Sequence, residues 1–353
     1  MAPKVAVPLD ILRRFAPGTG LRDAAEIIIR QGTGGLVLVG SGGVVDAVSS
    51  GGFILDAPFT AQRVAELSKM DGGIVVDDIA ETITRANVHF IPDPSIDTDE
   101  TGTRFRTADR LAIQTGLPVL AVSEEGRSIA VVFSPHGRFE LQDATSLFAQ
   151  ANQHLQALER LRRQLDDSVI RLTRDELGDA TMMRDAVGVI QRAAIVLRIN
   201  AQLETVAVEL GEEAPLIRIQ ASDLVRGVAE LAELVNFDFQ PRRPRKGSSV
   251  FKKLDDLPDE DLYHLAKVGA ALGLVPLDKP ARSRGARLLA GIPRLPASVR
   301  DALIRKFGDL QRLRQATIEE LSQVEGVGRS RARQIRTYLD LLAEAGAVPE
   351  PEG

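Results

Sequence analysis

The sequence predicts an α/β domain built on a mixed sheet, followed by an all-α spine and a C-terminal helix-hairpin-helix module. Three observations carry this division: β-branched runs between glycine clusters, a long apolar stripe at helical spacing, and a basic hairpin signature near the end. The expected boundaries give parts 1–145, 146–280 and 281–353. A chain of 353 residues, 44% of them apolar, is long enough for two or three cored parts.

In the first part, helical stretches alternate with the runs Gly35-Leu-Val-Leu-Val, Ile74-Val-Val, Pro118-Val-Leu-Ala-Val and Ile129-Ala-Val-Val-Phe. Alternation of this kind is the mark of an α/β domain. Glycines gather between the runs, at 32, 34, 35, 40, 42, 43, 51 and 52, where turns or a close ligand need them. No Walker loop and no dinucleotide fingerprint is present, so a nucleotide would be held in another way.

From about Leu147 the texture becomes helical, with Ala151, Leu155, Leu158, Leu161, Leu165, Val169 and Leu172 three or four residues apart. Arg162 interrupts a strict heptad, so packing within a helical domain is expected rather than an intermolecular coiled coil. Helical patterns continue through Leu234. The Pro-, Gly- and Ser-rich basic segment 240–249 reads as an exposed linker.

The third part holds Leu321-x-x-Val-x-Gly326-Val327-Gly328-x-x-x-Ala332-x-x-Ile335, a helix-hairpin-helix pattern. Its glycines let the hairpin backbone turn tightly and bring N–H groups to a phosphate, aided by the following helix N-terminus. Gly326, Val327, Gly328, Arg329, Arg331 and Arg333 are the candidate DNA-contacting residues, with Arg336 on the same flank. Leu289-Ala-Gly-Ile-Pro-Arg-Leu-Pro, followed by Val299, Leu303, Ile304 and Phe307, reads as a degenerate first copy. Residues 281–336 carry 13 Lys and Arg against 5 Asp and Glu, a net +8, leaving −13 elsewhere. A basic tail on an acidic body points to polyanion binding by the tail, through backbone contacts that favour DNA shape over sequence.

Several classes are excluded. With no cysteine, the chain has no disulfides, zinc fingers or thiol nucleophiles. No apolar run reaches the roughly 20 residues needed to cross a bilayer, and the N-terminus lacks a signal-peptide core, so a soluble cytoplasmic protein is expected. No carboxylate cluster suits a nuclease, and no Lys or Asp stands beside the hairpin as in a glycosylase.

Two motifs carry the catalytic expectation: Lys69-Met-Asp-Gly-Gly73 and Glu100-Thr-Gly-Thr-Arg-Phe-Arg-Thr107-Ala-Asp-Arg110. With Ala16-Pro-Gly-Thr-Gly-Leu-Arg22, Gly51-Gly-Phe53 and Val122-Ser-Glu-Glu125, they resemble the diadenylate cyclase domain of the DisA family in order and spacing. The resemblance continues through Ala151-Asn-Gln153, Arg198-Ile199, Glu209-Leu-Gly211 and Ile292-Pro-Arg-Leu-Pro296, covering almost the whole chain.

That resemblance implies condensation of two ATP into cyclic di-AMP with loss of pyrophosphate, coupled to the binding of branched or damaged DNA. It implies an octamer with cyclase domains meeting in pairs. It places Asp71 as a ligand of Mg²⁺ or Mn²⁺, with Gly72, Gly73, Arg104 and Arg106 completing the catalytic set. ATP contacts are expected from Gly72, Phe90, Thr103, Arg104, Phe105, Arg106, Thr107, Ser123 and Glu124. Two positions depart from the family pattern. Gly73 stands for an alanine, and Phe105 for a histidine whose loss as a phosphate donor could cost about two to three orders of magnitude in rate. The alternative function is therefore a DNA-scanning scaffold whose cyclase domain binds nucleotide but turns over weakly or not at all.

Overall fold

The computed structural model describes residues 8–124, 129–241 and 249–346. Most of the basic linker segment, residues 242–248, and Glu125 of the Val122-Ser-Glu-Glu motif lie outside the described residues. The chain forms two compact units, Met1–Gln153 with Leu203–Arg218, and His154–Gln202 with Ile219–Gly353.

The first unit begins with α1 (Leu9–Arg14) and α2 (Gly20–Gln31), then β1 (Gly35–Val39), α3 (Gly43–Ala47), β2 (Ser49–Ser50) and β3 (Phe53–Pro58). There follow α4 (Ala61–Leu67), β4 (Gly73–Val76), β5 (Thr82–Phe90), α5 (Thr103–Thr115), β6 (Val119–Val122), β7 (Ala130–Ser134) and β8 (Gly137–Glu140). Strands lie in the order β2-β5-β4-β1-β6-β7-β8, and β3 also pairs with β5. Only β1 and β4 run parallel among these pairs, so the sheet is mixed, as expected.

Both faces of the central strands are covered. Val37, Val39, Ile74 and Val76 pack with Leu21, Ala24, Ala25 and Ile28 of α2 and Val64 and Ala65 of α4. Leu38, Val75, Val119, Ala121 and Phe133 form the other cluster with Ala108, Leu111 and Ala112 of α5. Burial on both faces is why these strands read as unbroken apolar runs. Side-chain oxygens start two of the helices, Thr19 accepting from the Arg22 amide and Thr60 from the Arg63 amide.

Long helices α6 (Ala144–Leu177) and α7 (Met183–Leu210) come next, then α8 (Pro215–Val225) and α9 (Val228–Phe239). Ala151, Leu155, Leu158, Leu165 and Leu172 of the α6 stripe are buried, with Leu161 and Val169 half-buried. Arg162, which broke the heptad, donates to the Leu224 carbonyl at 2.6 Å and pairs with Asp166 at 2.9 Å. Among the described residues, no helix is long and apolar enough to cross a membrane.

In the second unit, α10 (Phe251–Leu254), α11 (Asp259–Leu262) and α12 (Leu265–Leu272) lead to α13 (Ala286–Ala290), α14 (Ala297–Phe307), α15 (Leu310–Gln315), α16 (Ile318–Ser322) and α17 (Arg329–Gly346). One core joins Leu288, Leu289, Ile292, Val299, Leu303 and Ile304 of the first hairpin to Leu321, Val324, Val327, Ala332 and Ile335 of the second. Leu177 of α6 is buried in it, and Leu234 and Phe237 of α9 pack against it. The change in charge near residue 280 therefore does not coincide with a gap in packing.

Candidate active site and nucleic-acid interface

A cleft of about 590 Å³ opens in the first unit, walled by the turn after α4, the end of β5 and the start of α5. Asp71, Gly72 and Gly73 line it together with Phe90, Thr103, Arg104, Thr107 and Glu124. The structure thus brings eight of the expected site residues, scattered over some fifty positions, to one surface. Lys69, Met70, Thr33, Leu36, Ser68, Val88 and His89 line the same cleft. Of these, Lys69 and Met70 stood inside the first motif, whereas nothing in the spacing pointed to Thr33 or Ser68.

The cleft is lined by both apolar and charged groups. Leu36, Met70, Val88 and Phe90 supply the first, and Lys69, Asp71, Arg104 and Glu124 the second. Arg104 donates to Glu124 at 3.2 Å and to the Val122 carbonyl at 3.2 Å. Its guanidinium fills the space that a side chain at Gly34 would take, where a Cβ would fall 2.9 Å from Cζ. Lys69 pairs with Glu66 at 2.7 Å, a contact that holds the Glu66 carboxyl below its usual range.

Helix α5 sorts its residues by angle, about 100° per position. Thr103, Arg104 and Thr107 fall on the cleft side, and Arg110 donates to the Ile96 carbonyl at 2.8 Å, tying down the preceding loop. Glu100 anchors the same loop through Arg138 at 2.8 Å. The start of α5 thus presents first-turn amides, which have no partner within a helix, beside Arg104.

Phe105 and Arg106 are not among the described residues that line the cleft. Phe105 lies 100° round the helix from Arg104, half-buried against the cluster of Ala108, Leu111, Ala112 and Phe133. Arg106 falls on the exposed flank of α5. Ser123 is also outside the lining: its amide donates to the Ile129 carbonyl at 2.9 Å, and its Oγ accepts from the Ile129 amide at 3.0 Å. That hydroxyl holds the edges of β6 and β7 together. Exposed His89 on β5 does reach the cleft, although it belongs to neither motif.

A divalent cation of the Mg²⁺ type needs oxygen ligands, from the protein or from the substrate. Among the described residues, no group of three or more His, Asp or Glu could enclose one. Two exposed carboxylates line the cleft, and since Glu124 is paired with Arg104, Asp71 is the one left to face a cation. That set does not suit a protein cage. It does suit a Mg²⁺-type ion that keeps waters and binds through one carboxylate plus substrate phosphates.

The second hairpin turns between α16 and α17. Gly326 adopts φ +80°, and a Cβ there would fall 2.9 Å from Cγ2 of Val299, so both conformation and space call for glycine. Val327 is buried in the core, whereas Gly328 is open, with nothing within 4 Å of a Cβ placed on it. Arg329 and Arg333 are exposed at the start of α17, and half-buried Arg331 donates to the Gly326 carbonyl. Arg336 is committed inward, to Asp340 at 3.0 Å and the Arg314 carbonyl at 2.6 Å. In the first hairpin, Pro293 stands where Gly328 stands in the second and has no N–H to offer a phosphate. Among these two turns, the second alone can donate from that position.

The chain matches the family model described as DisA bacterial checkpoint controller nucleotide-binding over residues 22–136. It matches the DisA bacterial checkpoint controller linker region over 141–278, and a helix-hairpin-helix motif over 287–345. It is 42% identical over 345 residues to the DNA integrity scanning protein DisA of Streptomyces avermitilis, covering 96% of this chain and 92% of that protein. Proteins of the same name from Kineococcus radiotolerans, 42% identical over 351 residues, and Symbiobacterium thermophilum, 41% over 331, cover 97% and 94% of this chain, and 98% and 94% of their own lengths.

Proposed function

The chain belongs to the DisA family of DNA integrity scanning proteins, and on that premise we propose that it is a diadenylate cyclase acting in the cleft around Asp71. The observation that carries this reading is the convergence of Asp71, Gly72, Gly73, Thr103, Arg104 and Thr107 on one surface that also carries apolar groups. The apolar groups take the adenine, and the charged groups take the triphosphate.

In the reaction, each ribose 3′-oxygen bonds to the α-phosphorus of the partner nucleotide, and the bond from that phosphorus to the bridging oxygen breaks. Pyrophosphate leaves and the hydroxyl proton passes to solvent. Two such steps close the cyclic dinucleotide. Arg104, the α5 amides and Lys69 neutralise the triphosphate so that an oxygen nucleophile can approach. Gly72 and Gly73 let ribose and phosphate come close to the backbone. Asp71 would hold Mg²⁺ or Mn²⁺, which would supply charge neutralisation at the phosphates.

Ser123 and Phe105 act on ATP indirectly in this reading, by steadying the elements beside the cleft, and Arg106 lies on the exposed flank of α5 outside it. The weakly active scaffold alternative drew on Phe105, and its phenyl ring packs on Phe133 instead of facing the cleft.

We place DNA at the second hairpin, on the Gly326, Val327 and Gly328 backbone with Arg329, Arg331 and Arg333 around it, and expect branched or damaged DNA to be preferred. The division into 1–145, 146–280 and 281–353, an octameric assembly with paired cyclase domains, and a cytoplasmic setting belong to the same reading. Incubation with ATP and Mg²⁺ or Mn²⁺, with and without branched DNA, followed by chromatography for cyclic di-AMP, tests it. Absence of product from assembled protein with either metal overturns the cyclase reading. A rate per subunit that stays constant in demonstrably monomeric protein overturns the paired geometry.

A further inference from the structure

Gly73 opens β4 and pairs across the ladder with Val88 of β5. Phe90, two residues further along β5, is its diagonal cross-strand neighbour on the same face. A Cβ on Gly73 would fall 2.5 Å from Cδ2 of the Phe90 ring and 3.1 Å from Cζ, far inside ordinary carbon contact. The ring cannot retreat inward: only 8% of Phe90 is exposed, and it belongs to the cluster holding Val75, Val88 and Phe133. The small part of it that is exposed lines the cleft. The turn cannot slide aside either, because a Cβ on Gly72 would fall 2.5 Å from Cα of Asn87, which is backbone. Two successive glycines therefore dock the turn that carries Asp71 directly onto β5.

We propose that Gly73 and Phe90 form one interlocked unit in which the missing side chain at 73 seats the phenyl ring as the wall that receives the purine base, making Phe90 a specificity-determining residue. The inference deepens the functional reading above and rests on it. Phe90 is, with Leu36, Met70 and Val88, one of the apolar residues that line the cleft together with Lys69, Arg104 and Glu124. An aromatic wall there offers the larger purine ring system more apolar contact than it offers a pyrimidine. A methyl at 73 would force the ring outward into the space of the base, or lift the Asp71 turn off β5. Either movement weakens nucleotide binding.

A double-mutant cycle on the full-length chain tests this, read by Mg²⁺-ATP binding, by the affinity ratio of ATP to CTP, and by KM and kcat for cyclic di-AMP. Phe90→Leu alone is expected to weaken ATP binding about tenfold and to narrow the ATP-to-CTP ratio, with kcat changing far less. Gly73→Ala alone is expected to raise KM about tenfold or more, as overpacking displaces the ring. Gly73→Ala combined with Phe90→Leu should bind ATP as Phe90→Leu does, because the smaller side chain clears the methyl. Wild-type affinity in Gly73→Ala overturns the interlock, as does a double variant that loses as much as the two single variants combined. An unchanged ATP-to-CTP ratio in Phe90→Leu overturns the assignment of specificity. Should Gly73→Ala fail to fold, a folded double variant supports the interlock and an unfolded one overturns it. A wild type that binds no ATP removes the functional reading and this inference with it, whereas ATP binding with purely additive mutant effects overturns the inference alone.

Discussion

The ring of Phe105 lies 5.9 Å from that of Phe133, centroid to centroid, with the planes inclined at 52°. This contact spans α5 and β7 and helps fix the helix that presents Arg104 to the cleft. The expectation from sequence was that Phe105 costs the site a phosphate donor. Its position against the core changes the consequence of replacing it.

Phe105→His is expected to destabilise the first unit by about 1–3 kcal/mol, because an imidazole would meet apolar neighbours without an assured partner. It is expected to leave the cyclase rate per folded molecule unraised. Urea unfolding and product chromatography on the same preparation check both halves, and a faster variant would return residue 105 to the phosphate site.

Asp71→Asn should abolish cyclic di-AMP synthesis with little change in unfolding midpoint, since the side chain is exposed in the cleft and makes no core contact. Chelation of divalent metal should silence the wild type in the same way, and added Mg²⁺ or Mn²⁺ should restore the wild type alone. Normal product formation by the variant would remove Asp71 from the site.

DNA binding should separate the two open positions of the second hairpin. Gly328→Ala has room for its methyl in the free protein, so it should fold normally yet weaken DNA binding by about tenfold, because the methyl stands where a phosphate must approach. Arg329→Ala should lower affinity across all sequences and reduce the salt slope by about 1. Arg336→Ala should instead lower stability, given its contacts with Asp340 and the Arg314 carbonyl. Electrophoretic mobility at several salt concentrations distinguishes the three.

Asp238 provides a test by pH. Its carboxylate accepts from the amides of Ala286 at 2.6 Å and Arg287 at 2.9 Å, closing the start of α13. Burial, with the charge of neighbouring Glu176 second, pushes its pKa up to about 7. Between pH 4 and 7 the folded state therefore holds a proton that the unfolded state has lost, so this group's contribution to stability is present at low pH and is lost as pH rises through 7. The stability difference between wild type and Asp238→Asn should favour wild type more at pH 5 than at pH 8, by on the order of a few kcal/mol. Urea unfolding at the two values measures it, and a pH-independent difference would show that Asp238 does not titrate in this window.

Legibility followed burial and periodicity. The four apolar runs of the first unit became β1, β4, β6 and β7, central strands whose two covered faces leave no polar positions to confuse the pattern. Strand β3 has partly or fully exposed residues throughout, so its sequence carries no such pattern. Strand β5 starts with alternation, but Asn87 at φ +54° and the bulged register against β4 break the period. That strand was not read from sequence, and it supplies His89 and seats Phe90.

By itself, the sequence determined the mixed α/β part, the buried α6 stripe, the second hairpin with Gly326 at its turn, and the residue types of the nucleotide motifs. These are local properties: spacing decides which face is apolar, and only glycine meets both the φ and the space at 326. Tertiary structure alone decided that Arg104 and Phe105, neighbours in one motif, part company by 100° round α5, one to the cleft and one to Phe133. It alone decided that Arg336 turns inward, and that Phe90 fills the space in front of Gly73. The reason is physical: a motif states which groups are available, but orientation follows from which faces the packed elements leave open, and that depends on neighbours remote in the chain.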